Sequence, residues 1–263
     1  MEKKKRIVVK VGTNVLTKAD GTLDKPIFRQ VVVQLAKMIE LGWRPILVSS
    51  GAVGAGRAIV SDCEIEDEAI RRQVLSSVGQ ASLMKRYYEL FHEYDIVCSQ
   101  VLTTKEDFAP GDHYQNMVNC FEGLLSQGIV PIVNENDVVS LTELMFTDND
   151  ELAGLTAQMV SAEKLIILSN VDGLFTGTPG EAGAELVATV GQKDDSHMSF
   201  ISATKSTQGR GGMGSKYEIA KRSASVGVET FIANGKRENV ITDILDGKSV
   251  GTRFLVQTEK IKA

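Results

Sequence analysis

The sequence predicts an α/β protein organised around one open, mainly parallel sheet. Short apolar runs of strand length alternate with amphipathic stretches of helix length along the chain. Several of these runs end in glycine-rich or carboxylate-carboxamide turns, the kind of strand end beyond which ligands sit in open parallel sheets. The composition agrees: 263 residues, 43% hydrophobic, 24% charged and only five prolines describe a globular chain with a large core.

Residues 6–11 form the first strand pattern and break into Gly12-Thr13-Asn14. From Pro26 to Leu41, Ile27, Val31, Leu35, Met38 and Ile39 fall on one helical face, with Asp24 placed to cap the start and Gly42 to stop the end. Pro45–Ser49 is the second strand, which makes the first fifty residues a βαβ unit. Ser50-Gly51-Ala52-Val53-Gly54-Ala55-Gly56-Arg57 is then a glycine-rich turn into a short helix. From Glu66 to Phe91, Ile70, Val74, Val78, Ala81, Met84, Tyr88 and Phe91 recur at helical spacing and predict a long helix with that face on the sheet. A strand from Asp95 to Leu102, a helix from Tyr114 to Ser126 and a strand from Ile129 to Val133 follow.

That last strand runs into Asn134-Glu135-Asn136-Asp137, which is answered by Asp148-Asn149-Asp150. Such a cluster is either ordinary loop and capping chemistry or the floor of a site. Leu152, Leu155, Thr156 and Met159 carry the next helix, and Lys164–Leu168 the next strand. Residues 176–186 and 191–212 are rich in Gly, Ser, Thr and Asp and read as long loops or a small lid-like excursion. A helix from Met213 to Gly227, a strand from Glu229 to Ala233, a short helix from Val240 to Leu245 and a strand near Arg253–Val256 complete the chain. No internal repeat interrupts it. We read one domain over 1–263, with a first half to about 165 and a second from about 166 meeting in one sheet.

The formal charge of −5, with Lys and Arg scattered along the chain, does not suit a nucleic-acid backbone. Cys63, Cys98 and Cys120 are odd in number and widely spaced, which argues against a disulfide scaffold or a zinc site and fits a reducing cytoplasm. Lys3-Lys4-Lys5-Arg6 is followed by only three apolar residues before Lys10, so no secretory segment is expected, and no run is long enough to span a membrane.

Two glycine patterns invite a phosphate-loop reading and fail. Gly247-Lys248-Ser249 lacks the opening glycine of a Walker loop, since position 242 is Thr. Gly209-Arg210-Gly211-Gly212-Met213-Gly214 fits the G-x-G-x-x-G spacing but follows no strand. The same run does open a helix, whose first N–H groups can hold an anion, and Lys216 falls in that first turn. A flexible loop with a surface lysine is the alternative, and a lone Lys10 in a strand would ordinarily face solvent. Three anion-suited turns in one chain, at 10–14, 49–56 and 209–216, together favour a polyphosphate lying across the sheet edge beside a polar small molecule.

Val9-Lys10-Val11-Gly12-Thr13, Ser49-Ser50-Gly51-Ala52, Asn134-Glu135-Asn136-Asp137, Asp148-Asn149-Asp150 and Gly211-Gly212-Met213-Gly214-Ser215-Lys216, in this order, resemble the amino acid kinase family, and within it the branch that phosphorylates the side-chain carboxylate of glutamate for proline synthesis. The resemblance runs from Lys10 to the Gly251-Thr252-x-Phe254 close. It implies a three-layer αβα sandwich. It also implies that Ser50, Asp137 and Asn149 bind glutamate, and that Lys10, Ser169, Asn170 and the loop Arg210, Gly211, Gly212, Met213, Gly214, Ser215 and Lys216 bind ATP. Asp150 would orient the catalytic pair Lys10 and Lys216. No protein metal ligand is implied, because Mg²⁺ would travel mainly on the nucleotide phosphates.

Elementary chemistry agrees with these assignments. Glutamate's free ammonium needs an anionic acceptor, for which Asp137 is suited, whereas an N-acetylated substrate has no such cation. The nucleophile is a carboxylate with an ordinary pKa of about 4.3, so no general base is needed, and His92, His113 and His197 are free of that duty.

The chain departs from the family pattern at Asn170, where an acidic residue is expected, at Thr178-Pro179-Gly180 in place of Asp-Pro-Arg, and at Arg210 before the glycines. Only nine residues follow Phe254, so a C-terminal PUA domain is not expected. The resemblance further implies a homo-oligomer (dimer or tetramer), feedback by proline near the loop 103–117, and a glutamyl phosphate reductase as a partner. The alternatives are a kinase of the same fold acting on N-acetylglutamate, aspartate, carbamate or a nucleoside monophosphate, and a nucleotide-binding sensor or storage protein without turnover.

Overall fold

A computed structural model describes residues 5–18, 21–60, 62–140, 146–192, 194 and 212–256. Its strands are β1 (Arg6–Val11), β2 (Arg44–Ser49), β3 (Cys98–Thr103), β4 (Val130–Glu135), β5 (Lys164–Ser169), β6 (Thr189–Val190), β7 (Glu229–Asn234) and β8 (Thr252–Phe254). They form one sheet in the order β3-β4-β2-β1-β5-β7-β8-β6. The first six in that order are parallel. β8 pairs antiparallel with β7, and β6 lies parallel to β8, so only the far edge is reversed.

β1 is the point where the connections reverse. It pairs with β2 on one side, Lys10 opposite Val48, and with β5 on the other, Lys10 opposite Ile167. A sheet that winds both ways from one strand leaves a crevice beyond that strand's carboxyl end, and the polar turns all open there. β1 and β4 are buried almost throughout, which is why they read as unbroken apolar runs rather than alternating ones.

Helices cover both faces. Ile7, Val9 and Val11 pack with Phe28 and Leu35 of α2 (Lys25–Glu40), Leu83 and Tyr87 of α4 (Glu68–His92) and Val240 of a short helix, Val240–Leu245. Val8 belongs to the opposite cluster, with Phe121 of α5 (Asp112–Ser126), Leu152 and Ala153 of α6 (Asn149–Met159), and Tyr217 and Ala220 of α7 (Met213–Ser225). The expected three-layer αβα sandwich is therefore present. By the two-residue period of a strand, Lys10 shares the face of Val8, so its side chain enters the layer of α6 and α7.

The structure corrects the sequence reading in several places. On α4 the buried face is turned from the expected one: of the expected set Phe91 is buried and Met84 packs against the core, but Ile70, Ala81 and Tyr88 are exposed, while Leu75, Gly79, Leu83 and Tyr87 are buried. The cause is a backbone-to-backbone crossing with α3 (Ala52–Ile59). A Cβ at Gly79 would lie 1.7 Å from the Ala52 carbonyl oxygen, and one at Gly56 would lie 1.9 Å from that of Leu75. The helix is apolar around a wider arc than one contact needs, and the glycines decide which part is used.

Asp67 caps α4 by accepting from the N–H groups of Ala69 and Ile70, so the helix starts at Glu68 and not Glu66. Asp95 adopts a positive φ of 55° in a turn, which delays β3 to Cys98. Asp24 stands at the start of α2, but its side chain makes no cap bond; its carbonyl accepts from Ile27 and Phe28. The sequence also missed a helical turn at Thr13–Leu16, the 3₁₀ turn Lys105–Phe108 and the strand β6. Within the expected loop 176–186, Thr176 N–H bonds to the Glu185 carbonyl and Phe175 bridges to Leu186, forming a narrow hairpin. Most of 191–212 lies outside the described residues. Among those described, no helix is long and apolar enough to cross a membrane.

Candidate active site

A cavity of about 580 Å³ opens at the carboxyl ends of β1, β2, β4 and β5. Of the residues singled out from sequence, Lys10, Ser50, Asp137, Asn149, Ser169, Asn170, Gly212, Met213 and Lys216 line it. Asp150 lies beneath the wall, fully buried. Gly214 and Ser215 stand in the first turn of α7 beside the lining residues, and Arg210 and Gly211 fall outside the described residues.

The phosphate end is built on three buried charges. Lys10 Nζ lies 2.6 Å from Asp150 Oδ1, and Lys216 Nζ donates to Asp150 Oδ2 at 2.9 Å. Lys10 is 5% and Lys216 9% exposed, so neither is the solvent-facing lysine that each resembles in isolation. Burial alone would raise the Asp150 carboxyl, but the two ammonium groups outweigh it and hold the group below the ordinary carboxylate range. Two ammonium groups share this one carboxylate and both lysines line the cavity, which suits a polyphosphate.

Asp148 fastens this arrangement. As N-cap of α6 its Oδ1 accepts from Asp150 N–H at 2.9 Å and Glu151 N–H at 3.0 Å, and its other oxygen accepts the Ser215 hydroxyl. One carboxylate thus sets the start of the helix carrying Asp150 and ties it to the helix carrying Lys216. Glu151 supports the same segment by accepting from Thr147 N–H at 2.8 Å and pairing with Lys105.

The other end is a network of carboxamides and carboxylates. Asn149 Nδ2 donates to Ser50 Oγ at 2.8 Å and to Asn134 Oδ1 at 3.0 Å, while Asn134 Nδ2 donates to Gln80 Oε1 at 2.9 Å. Asn134 also turns its Oδ1 to the Glu135 N–H, fixing the end of β4. Ser49, one residue before the Ser50 turn, shares a hydrogen bond with the buried Tyr87 hydroxyl at 2.9 Å, and burial pushes that phenol up so that it stays neutral. Asp137 and Glu135 face Arg72 of α4: its Nε and Nη2 donate to Asp137 Oδ1 at 3.0 and 2.6 Å, and Nη2 reaches Glu135 Oε2 at 3.5 Å.

Sequence reasoning left Asn134, Glu135 and Asp148 without a role and did not see Gln80 or Arg72. The first three lay inside quoted motifs, and only their partners show what they do. Arg72 meets Asp137 across 65 residues of sequence, a contact that no local pattern announces.

The amino acid kinase family model matches residues 5–234. A glutamate 5-kinase from Bacteroides thetaiotaomicron is 47% identical to the chain over 260 residues, covering 98% of this chain and 72% of that protein. One from Chlorobaculum tepidum is 46% identical, covering 97% of the chain and 70% of that protein. Among solved structures, a carbamate kinase from Giardia lamblia bound to AMP-PNP superposes with a TM-score of 0.71 at 17% identity, over 98% of this chain and all of that one. A UMP kinase from Ureaplasma parvum gives 0.66 at 15% identity, over 96% of this chain and 99% of that one. At those identities the two structures speak for the fold alone.

Proposed function

The chain belongs to the amino acid kinase family, and we propose that its cavity transfers the γ-phosphoryl group of ATP to the side-chain carboxylate of L-glutamate, forming L-glutamyl 5-phosphate for proline biosynthesis. The observation that carries the reading is the Lys10-Asp150-Lys216 cluster, opening into the same cavity as the Ser50-Asn149-Asp137 network. The glutamate 5-kinases at 47% and 46% identity support this substrate over others used within the fold.

In this reading Ser169, Asn170 and the start of α7 receive ATP, and Ser50, Asn149 and Asp137 receive glutamate. The substrate carboxylate is already ionised at neutral pH, so its oxygen attacks the γ-phosphorus directly as the bond to the β-γ bridging oxygen breaks and ADP leaves. Negative charge grows on the bridging and equatorial oxygens, where Lys10 and Lys216 stand already desolvated and held in place by Asp150. Alignment and charge neutralisation are the whole task, and no proton transfer to the protein is required.

When bound with the nucleotide, Mg²⁺ would supply charge neutralisation at the phosphates. Among the described residues no three His, Cys, Asp or Glu side chains converge on a metal position, and both Asp150 oxygens face ammonium groups. With both Asp150 oxygens engaged by ammonium groups, Mg²⁺ would be carried by the nucleotide phosphates.

The part before about residue 165 would hold the amino acid and the part after it the nucleotide. We place the enzyme in the cytoplasm and propose that copies associate through the edge beside β3, where Ile70, Tyr88, Val97 and Leu102 are exposed. Proline is proposed to act at the loop 103–117, and a glutamyl phosphate reductase to take the labile product.

The test is ADP release from MgATP with glutamate, N-acetylglutamate, aspartate, carbamate and UMP in parallel. Release with glutamate at least about a hundredfold more efficient than with any other acceptor is expected, in the range that unpaired polar groups in a site impose. ADP formed with another acceptor and not with glutamate would overturn the proposal.

A further inference from the structure

Asp137 and Arg72 both line the cavity, and each keeps one polar atom without a partner among the described residues. Arg72 spends Nε and Nη2 on Asp137 Oδ1 and Glu135 Oε2, and its Nη1 has no acceptor among the described residues. Asp137 receives both guanidinium bonds on Oδ1, which leaves Oδ2 without a donor among the described residues. Both carboxylates are buried, Asp137 at 9% and Glu135 at 6% exposure, while the Arg72 side chain is 27% exposed.

An acceptor for a cation and a bidentate-capable donor for an anion, side by side, are complementary to the zwitterionic head of an α-amino acid. We infer that Arg72 is a specificity-determining residue that binds the substrate's α-carboxylate through Nη1, while Asp137 Oδ2 takes the α-ammonium. The inference rests on the glutamate reading proposed above and adds a residue to it. Guanidinium is suited to the task because its planar fork can hold Asp137 with one edge and a second carboxylate with another.

The charge balance sharpens the point. Glu135 and Asp137 both turn a buried carboxylate to Arg72, and the substrate ammonium adds a second cation beside them. Without the guanidinium the α-carboxylate would stand beside two buried carboxylates. Arg72 therefore has a second effect beyond holding Asp137 in shape, and the two effects can be separated by changing the substrate head.

The experiment compares wild type, Arg72→Met and Arg72→Lys on L-glutamate and on L-glutamate α-amide, which keeps the ammonium and the side-chain carboxylate but has no α-carboxylate. Acyl phosphate is trapped with hydroxylamine, and KM for ATP and thermal melting are followed for each variant. For Arg72→Met, kcat/KM on glutamate falls by at least about tenfold, carried by KM, in keeping with loss of a charge-assisted hydrogen bond. On the α-amide, which still depends on Asp137 being held, the loss is smaller than on glutamate by at least about fivefold, KM for ATP holds, and Arg72→Lys recovers part of the loss on glutamate.

Equal losses on the two substrates, or an unchanged glutamate KM in a folded Arg72→Met protein, would overturn the assignment and leave the glutamate reading standing. If Arg72→Met does not fold, Arg72→Lys carries the test alone, and a glutamate-to-α-amide preference equal to wild type overturns the assignment. A wild-type enzyme that phosphorylates neither compound fails the glutamate reading itself, and the Arg72 assignment with it.

Discussion

Replacing Asp150 by asparagine should destabilise the protein strongly, and ATP should restore much of the loss. The carboxylate is fully buried, with Lys10 Nζ at 2.6 Å from one oxygen and Lys216 Nζ at 2.9 Å from the other. An asparagine carbonyl can accept from one ammonium group, but its NH₂ end points donors at the other. The local charge becomes more positive by one unit in a desolvated place. Breaking a buried pair by removing one partner costs about 3–5 kcal/mol, which for a chain of this size lowers the melting temperature by roughly 6–20 °C. The assay is thermal unfolding of wild type and Asp150→Asn at neutral pH, without nucleotide and with saturating MgATP. Phosphate oxygens can take the place of the missing carboxylate, so the deficit should narrow when ATP is bound. A variant as stable as wild type without nucleotide, or a deficit that ATP leaves unchanged, would refute the role given to the cluster.

The same carboxylate predicts a pH dependence. Its pKa in the folded state is below its ordinary value of 3.8, so its contribution is complete above that value and is lost as pH falls through the lower folded-state value. The stability gap between wild type and Asp150→Asn, measured by urea unfolding, should be flat above about pH 5 and close below about pH 4. Asp148→Ala removes two cap bonds on α6 and the link to Ser215. It should cost about 0.5–2 kcal/mol in the same measurement, with KM for ATP rising as the start of α7 loosens. Unchanged stability would contradict the capping role. Gly79→Ala puts a methyl group 1.7 Å from the Ala52 carbonyl oxygen and 2.5 Å from the Gly56 nitrogen. We expect a loss of about 1–3 kcal/mol or more together with weaker glutamate binding, because α3 carries the Ser50 turn; a variant with wild-type stability would show that the helices part without cost.

The alternation of strands and helices was legible because parallel strands buried on both faces read as unbroken apolar runs. The helix starts and the orientation of α4 were less so. A side-chain cap at Asp67 and a glycine crossing at Gly56 and Gly79 set them, and the second depends on which helix lies opposite. At the site, Lys10 and Lys216 were found because each adjoins a turn suited to an anion. Their burial was not visible, since it depends on α6 and α7 closing over the end of β1. Asn134 and Asp148 were seen as polar residues, but their work is done by partners 54 and 67 residues away. Arg72 is hidden for the same reason, because its helix shows in sequence only a periodic apolar face.

The most direct test of the account is the position of the phosphoryl group on the product. MgATP, L-glutamate and hydroxylamine are incubated with the enzyme, and the trapped hydroxamate is identified by mass spectrometry and NMR. With the head of the amino acid held at Asp137 and its far carboxylate delivered to Lys10 and Lys216, the product should be the 5-hydroxamate. A 1-hydroxamate, or ADP without any trapped acyl group, would contradict the account.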